Sequence, residues 1–373
     1  MSEFVIGCAA DREEIIDFIN YVFSQAHRPH DFKKMVPKSY ADDAIDMGAV
    51  HYLAKKDGKI KAVIAQRIID VNYGGKLLKL GLIGNVSVHP YSRGEGYMKQ
   101  LMAMAIQDAK ERGVDIMALG GQRQRYAYFG FENASANLQF TISKENIRHC
   151  FGTLDVSDIS FRDFEDAEDR ELQEASALYE TRPFHALRPW AEYRNIMRTW
   201  QRASRLILRD GEMIGYSSGG ELVLRREEDL GAVLKAMFAL DSLQEMKLTV
   251  MPWQTERAAL LAQICEGSCI AEQEQIRVLN WTKVLQALLS FKASYTLLQD
   301  GQTELVIDGE GFRITVLNGN PSVAKTEPAE SAACMTRNEA LLRIFGLNSL
   351  LLPEDSLKNW VPLPFMIDGP DTY

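Results

Sequence analysis

No run in the 373 residues approaches the ~18–20 consecutive apolar positions that a bilayer-crossing helix needs. The N-terminus, Met1-Ser2-Glu3-Phe4-Val5, lacks the basic stretch and apolar core of a secretory signal. Cysteine is scarce: Cys8, Cys150, Cys265, Cys269 and Cys334 are odd in number and scattered, which suits reduced thiols rather than a disulfide framework. Basic residues are outnumbered, 42 Lys and Arg against 51 Asp and Glu, for a net charge of −9. That balance argues against a nucleic-acid binder, which normally presents a basic surface, and mildly favours a cationic small substrate. Among the histidines only His27-x-x-His30 has a metal-like spacing, and no ligand cluster supports it, so no metal site is expected. These absences point to a cytoplasmic protein that engages neither membrane nor nucleic acid.

What is present is apolar mass, 46% of residues, in a chain long enough for two or three domains. The first part reads as a strand (Phe4 to Cys8) and a helix from Asp11 with Ile15, Phe18, Ile19 and Phe23 at helical spacing. A strand pair follows around the turn Lys56-Asp57-Gly58-Lys59, then a strand from Leu77 to Val88. After a glycine-containing loop comes a helix ending near Gly113 and a buried strand, Asp115 to Leu119. The strand–helix–strand unit implies parallel neighbours with a right-handed crossover, and the hairpins make the sheet mixed. The expected fold class is therefore α/β with mixed sheets. Lys56-Asp57-Gly58-Lys59-Ile60-Lys61-Ala62 is echoed by Arg209-Asp210-Gly211-Glu212-Met213-Ile214-Gly215, and the order of elements around it repeats. Three domains are expected: 1–150, a degenerate copy at 151–287, and a small α+β unit at 288–373. The last should hold strands Ser294 to Leu298, Thr303 to Ile307 and Phe312 to Leu317 about an Asp300-Gly301 turn, then a helix from Arg337 to Phe345.

One segment carries chemistry. Val86-Ser87-Val88-His89-Pro90-Tyr91-Ser92-Arg93-Gly94-Glu95-Gly96-Tyr97-Met98-Lys99 joins a strand to a helix start. Unpaired amides and the positive end of the helix dipole bind phosphate there. Gly94 and Gly96 keep side chains out of the way, and Arg93 adds a charge-assisted donor. Further on lies Tyr126-Ala127-Tyr128-Phe129-Gly130-Phe131.

Together these resemble the GNAT superfamily of N-acetyltransferases. Its signature, V-x-V-x-P-x-x-R-x-x-G-x-(G/A) followed by a tyrosine four residues before Gly-Phe, is met at Val86, Val88, Pro90, Arg93 and Gly96. It is departed from at Met98, where Gly or Ala is usual. The resemblance implies that the loop amides hold the pyrophosphate of acetyl-CoA and that the strand ending at Val88 splays from its neighbour to pair with the pantetheine arm. The whole-chain plan resembles the Eis (enhanced intracellular survival) acetyltransferases: a GNAT domain, a second GNAT domain without the motif, and a small sterol-carrier-like domain. Where the second copy should carry the loop it has Arg226-Glu227-Glu228-Asp229, whose carboxylates repel a pyrophosphate, so one acetyl-CoA site per chain is expected.

By the same resemblance Tyr126 is the general acid toward the CoA sulfur, in preference to Tyr128, and the amide of Val88 meets the oxyanion. No acid lies between Lys79 and Val88. The Eis plan offers instead the C-terminal carboxylate, here that of Tyr373, with Asp371 as the runner-up. The implied activity is acetylation of a primary amine on a small cationic molecule, aminoglycoside-like or polyamine-like, by a homo-oligomer, trimer or hexamer. A protein lysine is an alternative acceptor. A lipid-binding or regulatory protein with a vestigial CoA site is the reading from another class. Gly120-Gly121-Gln122-Arg123-Gln124-Arg125 departs from the Ser-Glu-Gly-Gly run of aminoglycoside-acetylating Eis proteins, and Arg123 and Arg125 are expected on the pocket floor or a CoA phosphate. Arg188 to Tyr193 could line an acceptor pocket, although aromatics at helical spacing are more often core.

Overall fold

The computed structural model describes residues 2–26, 28–44, 48–272, 274–328, 332–351 and 356–373; His27 of the His-x-x-His pair lies outside them. The first unit supplies β1 (Ser2–Ile6), β2 (Val50–Lys56), β3 (Lys59–Tyr73), β4 (Lys76–Val88), β5 (Ile116–Leu119) and β6 (Glu132–Asn133). The second supplies β7 (Asn137–Ser143), β8 (Ile159–Asp163), β9 (Phe184–Ala186), β10 (Ser204–Arg209), β11 (Glu212–Ser218), β12 (Glu221–Leu224), β13 (Glu245–Val250), β14 (Gly267–Ala271) and β15 (Gln275–Val278). The third supplies β16 (Gly301–Ile307), β17 (Glu310–Leu317), β18 (Asn320–Thr326) and β19 (Ala333–Met335).

Tight turns set the hairpins. Asp57-Gly58 and Asp210-Gly211 both carry positive φ, as a primed turn requires, so the repeated Asp-Gly pair does the same work in each copy. The third such turn is Asp308-Gly309, not Asp300-Gly301. Asp300 instead accepts from the amides of Asn318 (3.0 Å) and Gly319 (2.9 Å) at the next hairpin tip. Nor is Ser294 to Leu298 a strand: the helix Trp281–Ala293 fills its apolar face with Val284, Leu285, Leu288 and Phe291, and the chain then turns.

The order in the first sheet is β1-β2-β3-β4-β5-β15-β6, with β9 pairing the far end of β3. The second unit repeats this as two sheets, β12-β11-β10-β8 and β13-β7-β14. The copies exchange strands. β7, although it precedes the expected bound at 150, lies between β13 and β14 of the second unit, and β15 returns to lie antiparallel between β5 and β6 of the first. Strands are thus exchanged across the expected bound at 150, and the helix Trp281–Ala293 straddles the one at 287. That helix shares one core with Leu78, Leu80 and Leu82 of β4 and with the sheet β18-β17-β16-β19. The opposite face of the first sheet is covered by the helix Tyr97–Glu111 through Leu101, Met102, Ala105 and Ala109.

Candidate active site

Gly96 caps the helix Tyr97–Glu111 with φ 79°, and Gly94 has φ 86°. A Cβ at either glycine would meet nothing within 4 Å, so backbone conformation rather than crowding in the protein requires glycine there. No side chain caps this helix, and no protein group accepts from the amides of Gly96, Tyr97 or Met98 among the described residues. Three free amides, the dipole and exposed Arg93 make this an anion cradle that fits a pyrophosphate. It opens into a cleft of about 700 Å³ lined by Val86, Ser87, Val88, Arg93, Gly94, Gly96, Tyr97, Met98 and Lys99. Glu95 turns away from the cleft, pairing with Lys56 (3.0 Å) and accepting from the Tyr97 hydroxyl (3.0 Å). Tyr97 also bonds Ser2 Oγ (3.0 Å), which fixes the helix start to β1.

The cleft exists because two strands part. β4 and β5 pair in parallel only at Leu80–Ile116, Gly81–Met117 and Leu82–Ala118, while β4 runs on to Val88. Its pairing with β3 also slips between Val63 and Ala65, opposite Asn85 at φ 51°. This bulge bends β4 and re-aims Val86 to Val88 into the gap.

A second cavity of about 410 Å³ shares Phe23, Val86, Gln122 and Arg125 with the cleft and is also lined by Tyr126, Trp200 and Tyr373. Tyr126, on the short helix Arg123–Ala127, is 6% exposed and lies against Gly121, where a Cβ would come within 2.6 Å of its ring. Burial raises its phenol pKa, with Arg125 acting in the opposite sense.

The C-terminal tail reaches this cavity under a series of anchors. Asp368 pairs with Arg182 (2.9 Å) and accepts from Tyr179 (2.8 Å). Asp371 takes two bonds from Arg188 (3.0 and 2.8 Å), which also binds Glu221 (2.7 Å). Lys38, fully buried and with its pKa driven far down by desolvation, donates to the carbonyls of Pro370 (2.8 Å) and Thr372 (2.6 Å). The Tyr373 ring lies on Gly84, where a Cβ would overlap it, and its hydroxyl shares a 2.6 Å hydrogen bond with Tyr40. Tyr40 also bonds His51 Nε2 (2.8 Å) and donates to Asn85 Oδ1 (3.1 Å), so tail and bulge are one network. Burial pushes the Tyr373 phenol up to about 12 and depresses His51 to about 4.

Several expectations change. Asp371 is committed to Arg188: burial raises its pKa, but the guanidinium outweighs that and holds the carboxyl below its usual range, so it is not a free base. Arg188 is buried in this ion network and Tyr193 in the core, so neither lines the second cavity. Arg123 turns to Glu132 (2.7 Å), whereas Arg125 stands where the two cavities meet. Tyr128 is 67% exposed beside Lys99. In the second unit, Glu227 binds Arg257 (2.8 and 2.6 Å) and Asp229 binds Arg209 (2.5 Å), so carboxylates and their partners occupy that helix start. Sequence reasoning missed Phe23, Asn85, Gln122, Tyr40 and Trp200. No local pattern marks them, since they reach the site from five separate segments.

Residues 8–134 match the Acetyltransferase (GNAT) domain family. No curated protein sequence matches the chain. Among solved structures, a GCN5-related N-acetyltransferase from Anabaena variabilis is similar at TM-score 0.67 and 15% identity, covering 96% of this chain and 92% of that one. Another from Kribbella flavida is similar at 0.65 and 13%, covering 100% and 98%. Eis1 from Mycobacterium abscessus is similar at 0.61 and 15%, covering 92% and 89%. At such identities the likeness is one of fold, and it extends across all three units. The matched domain, which holds the cradle, is that of a GNAT-type acyltransferase with acetyl-CoA as co-substrate, and the chain as a whole resembles Eis in fold.

Proposed function

We propose that the protein acetylates a primary amine on a small cationic molecule, with the donor in the 700 Å³ cleft and the acceptor in the 410 Å³ cavity. The observation that carries this reading is the meeting of the two cavities at Val86, with Tyr126 and Tyr373 lining the acceptor side. The loop Arg93 to Lys99 binds the pyrophosphate, and the unpaired edge of β4 beyond Leu82 offers backbone groups to the pantetheine arm. Acetyl-CoA supplies the acyl group. Tyr126, whose raised pKa keeps the phenol protonated at neutral pH, is the proton donor. The C-terminal carboxylate of Tyr373 is the base; the tail that carries it is held by Lys38 at the Thr372 carbonyl and by Tyr40 at the Tyr373 hydroxyl. The aromatic wall of Phe23, Phe32, Tyr126, Trp200 and Tyr373 suits a cation.

The test is a panel of aminoglycosides, polyamines and lysine peptides in a thiol-release assay, run with wild type and Tyr126→Phe. The reading expects turnover on a small polyamine or aminoglycoside, and a loss of about a hundredfold or more in kcat for the variant with acetyl-CoA binding retained. Turnover confined to lysine peptides, or a fully active Tyr126→Phe, would refute it.

A further inference from the structure

A third cavity, of about 380 Å³, lies where the first unit meets the C-terminal unit, and it shares Lys99 and Phe129 with the donor cleft. Two arginines from distant segments converge on it. Arg277 of β15 is 9% exposed; its Nη1 donates to the carbonyl of Phe129, and its Nε has no partner among the described residues. Arg337, the first residue of the helix Arg337–Ile344, pairs through Nη2 with Asp308 (2.5 Å) and has its own buried Nε without a partner among the described residues. The two guanidinium groups crowd Gly130, whose φ is 77°: a Cβ there would run into Arg277 Nη1 and lie 3.3 Å from Arg337 Nη1.

The charges do not balance. Lys99, Arg277 and Arg337 line the cavity, and the acid among its lining residues is Asp308, already taken by Arg337. Burial, reinforced by the neighbouring Arg337, holds Arg277 down to about 10. Buried N–H donors without acceptors are uncommon in folded proteins, and beside an open cavity a water, an ion or a ligand can supply the acceptor. Planar guanidinium donors match phosphate oxygens.

We propose that Arg277 and Arg337 form a second anion site, on the flank of the pyrophosphate cradle, that receives a dianionic phosphate. Resting on the function proposed above, the source is the 3′-phosphomonoester of coenzyme A, because this cavity adjoins the donor cleft at Lys99 and Phe129. The site joins residues of β15 and of the C-terminal unit to the first unit's cleft, which gives the C-terminal unit a part in donor binding.

The experiment compares KM for acetyl-CoA and for 3′-dephospho-acetyl-CoA in wild type, Arg277→Met and Arg337→Met, with thermal shift in inorganic phosphate alongside. Wild type should favour acetyl-CoA about ten- to a hundredfold, the range for charge-assisted bonds, and each variant should bring the ratio toward one. Should Arg277→Met fail to fold, the more exposed Arg337→Met carries the test. A wild-type ratio near one, with phosphate stabilisation that both variants abolish, assigns the site to free phosphate. A ratio near one without such stabilisation overturns the proposal. If the protein binds neither CoA form, the proposed function falls, and the phosphate arm alone decides this site.

Discussion

Gly84 offers a test of the tail that touches neither cradle nor acid. Its φ lies outside the left-handed region, so alanine suits the backbone; the obstacle is the Tyr373 ring, which a Cβ would overlap. Overpacking of this kind costs about 1–3 kcal/mol. Relief comes most readily from the tail, which can move off β4 at the expense of the Tyr40–Tyr373 bond. That energy corresponds to a shift of roughly five- to 150-fold toward the undocked tail. Gly84→Ala should therefore raise the rate at which a carboxypeptidase specific for aromatic termini releases Tyr373 by about that factor, since release tracks the open population when docking is fast. The KM for acetyl-CoA should hold, because Gly84 is not among the residues lining the donor cleft, while kcat falls. In a background lacking Tyr373 the same substitution should be nearly neutral, because the atoms it strikes are gone. Unchanged tyrosine release together with unchanged turnover would refute the docked tail as part of the site.

His51 gives a pH dependence. Burial places its folded pKa at about 4 against an ordinary 6.5. The unfolded chain therefore binds the extra proton first: stability is complete above pH 6.5 and declines by about 3 kcal/mol as pH falls toward 4. Acid denaturation of His51→Gln should lose that share of the slope, and an unaltered slope would exclude His51 as its source. Because the carboxylates of Glu227 and Asp229 and their arginine partners occupy the second unit's helix start, acetyl-CoA should titrate calorimetrically at one per chain. Two sites per chain would contradict that. Extending the chain by a few residues beyond Tyr373 should lower kcat about tenfold or more if its carboxylate is the base, and full activity with a tail would sink that assignment.

The cradle was legible because it is contiguous. Strand, loop and helix start follow one another over Val86 to Lys99, and glycine at 94 and 96 reports a backbone conformation that sequence alone encodes. The internal repeat was legible for the same reason, since Asp57-Gly58 and Asp210-Gly211 dictate the same turn wherever they fall. The expected strand at Ser294 to Leu298 failed because a short apolar alternation after a helix does not distinguish a strand from a turn that buries only Leu298.

The exchange of β7 and β15 could not be read from the chain, because either strand suits either sheet until both units are packed. The docking of Tyr373 over Gly84, the burial of Lys38 under two tail carbonyls, and the meeting of Arg277 with Arg337 are also decided by packing. The sequence by itself determined where phosphate can be held, since φ preferences and free helix amides are properties of adjacent residues. Only the tertiary structure decided what faces that phosphate. The partners come from segments tens to hundreds of residues apart, and only burial of a shared core brings them within a few ångströms.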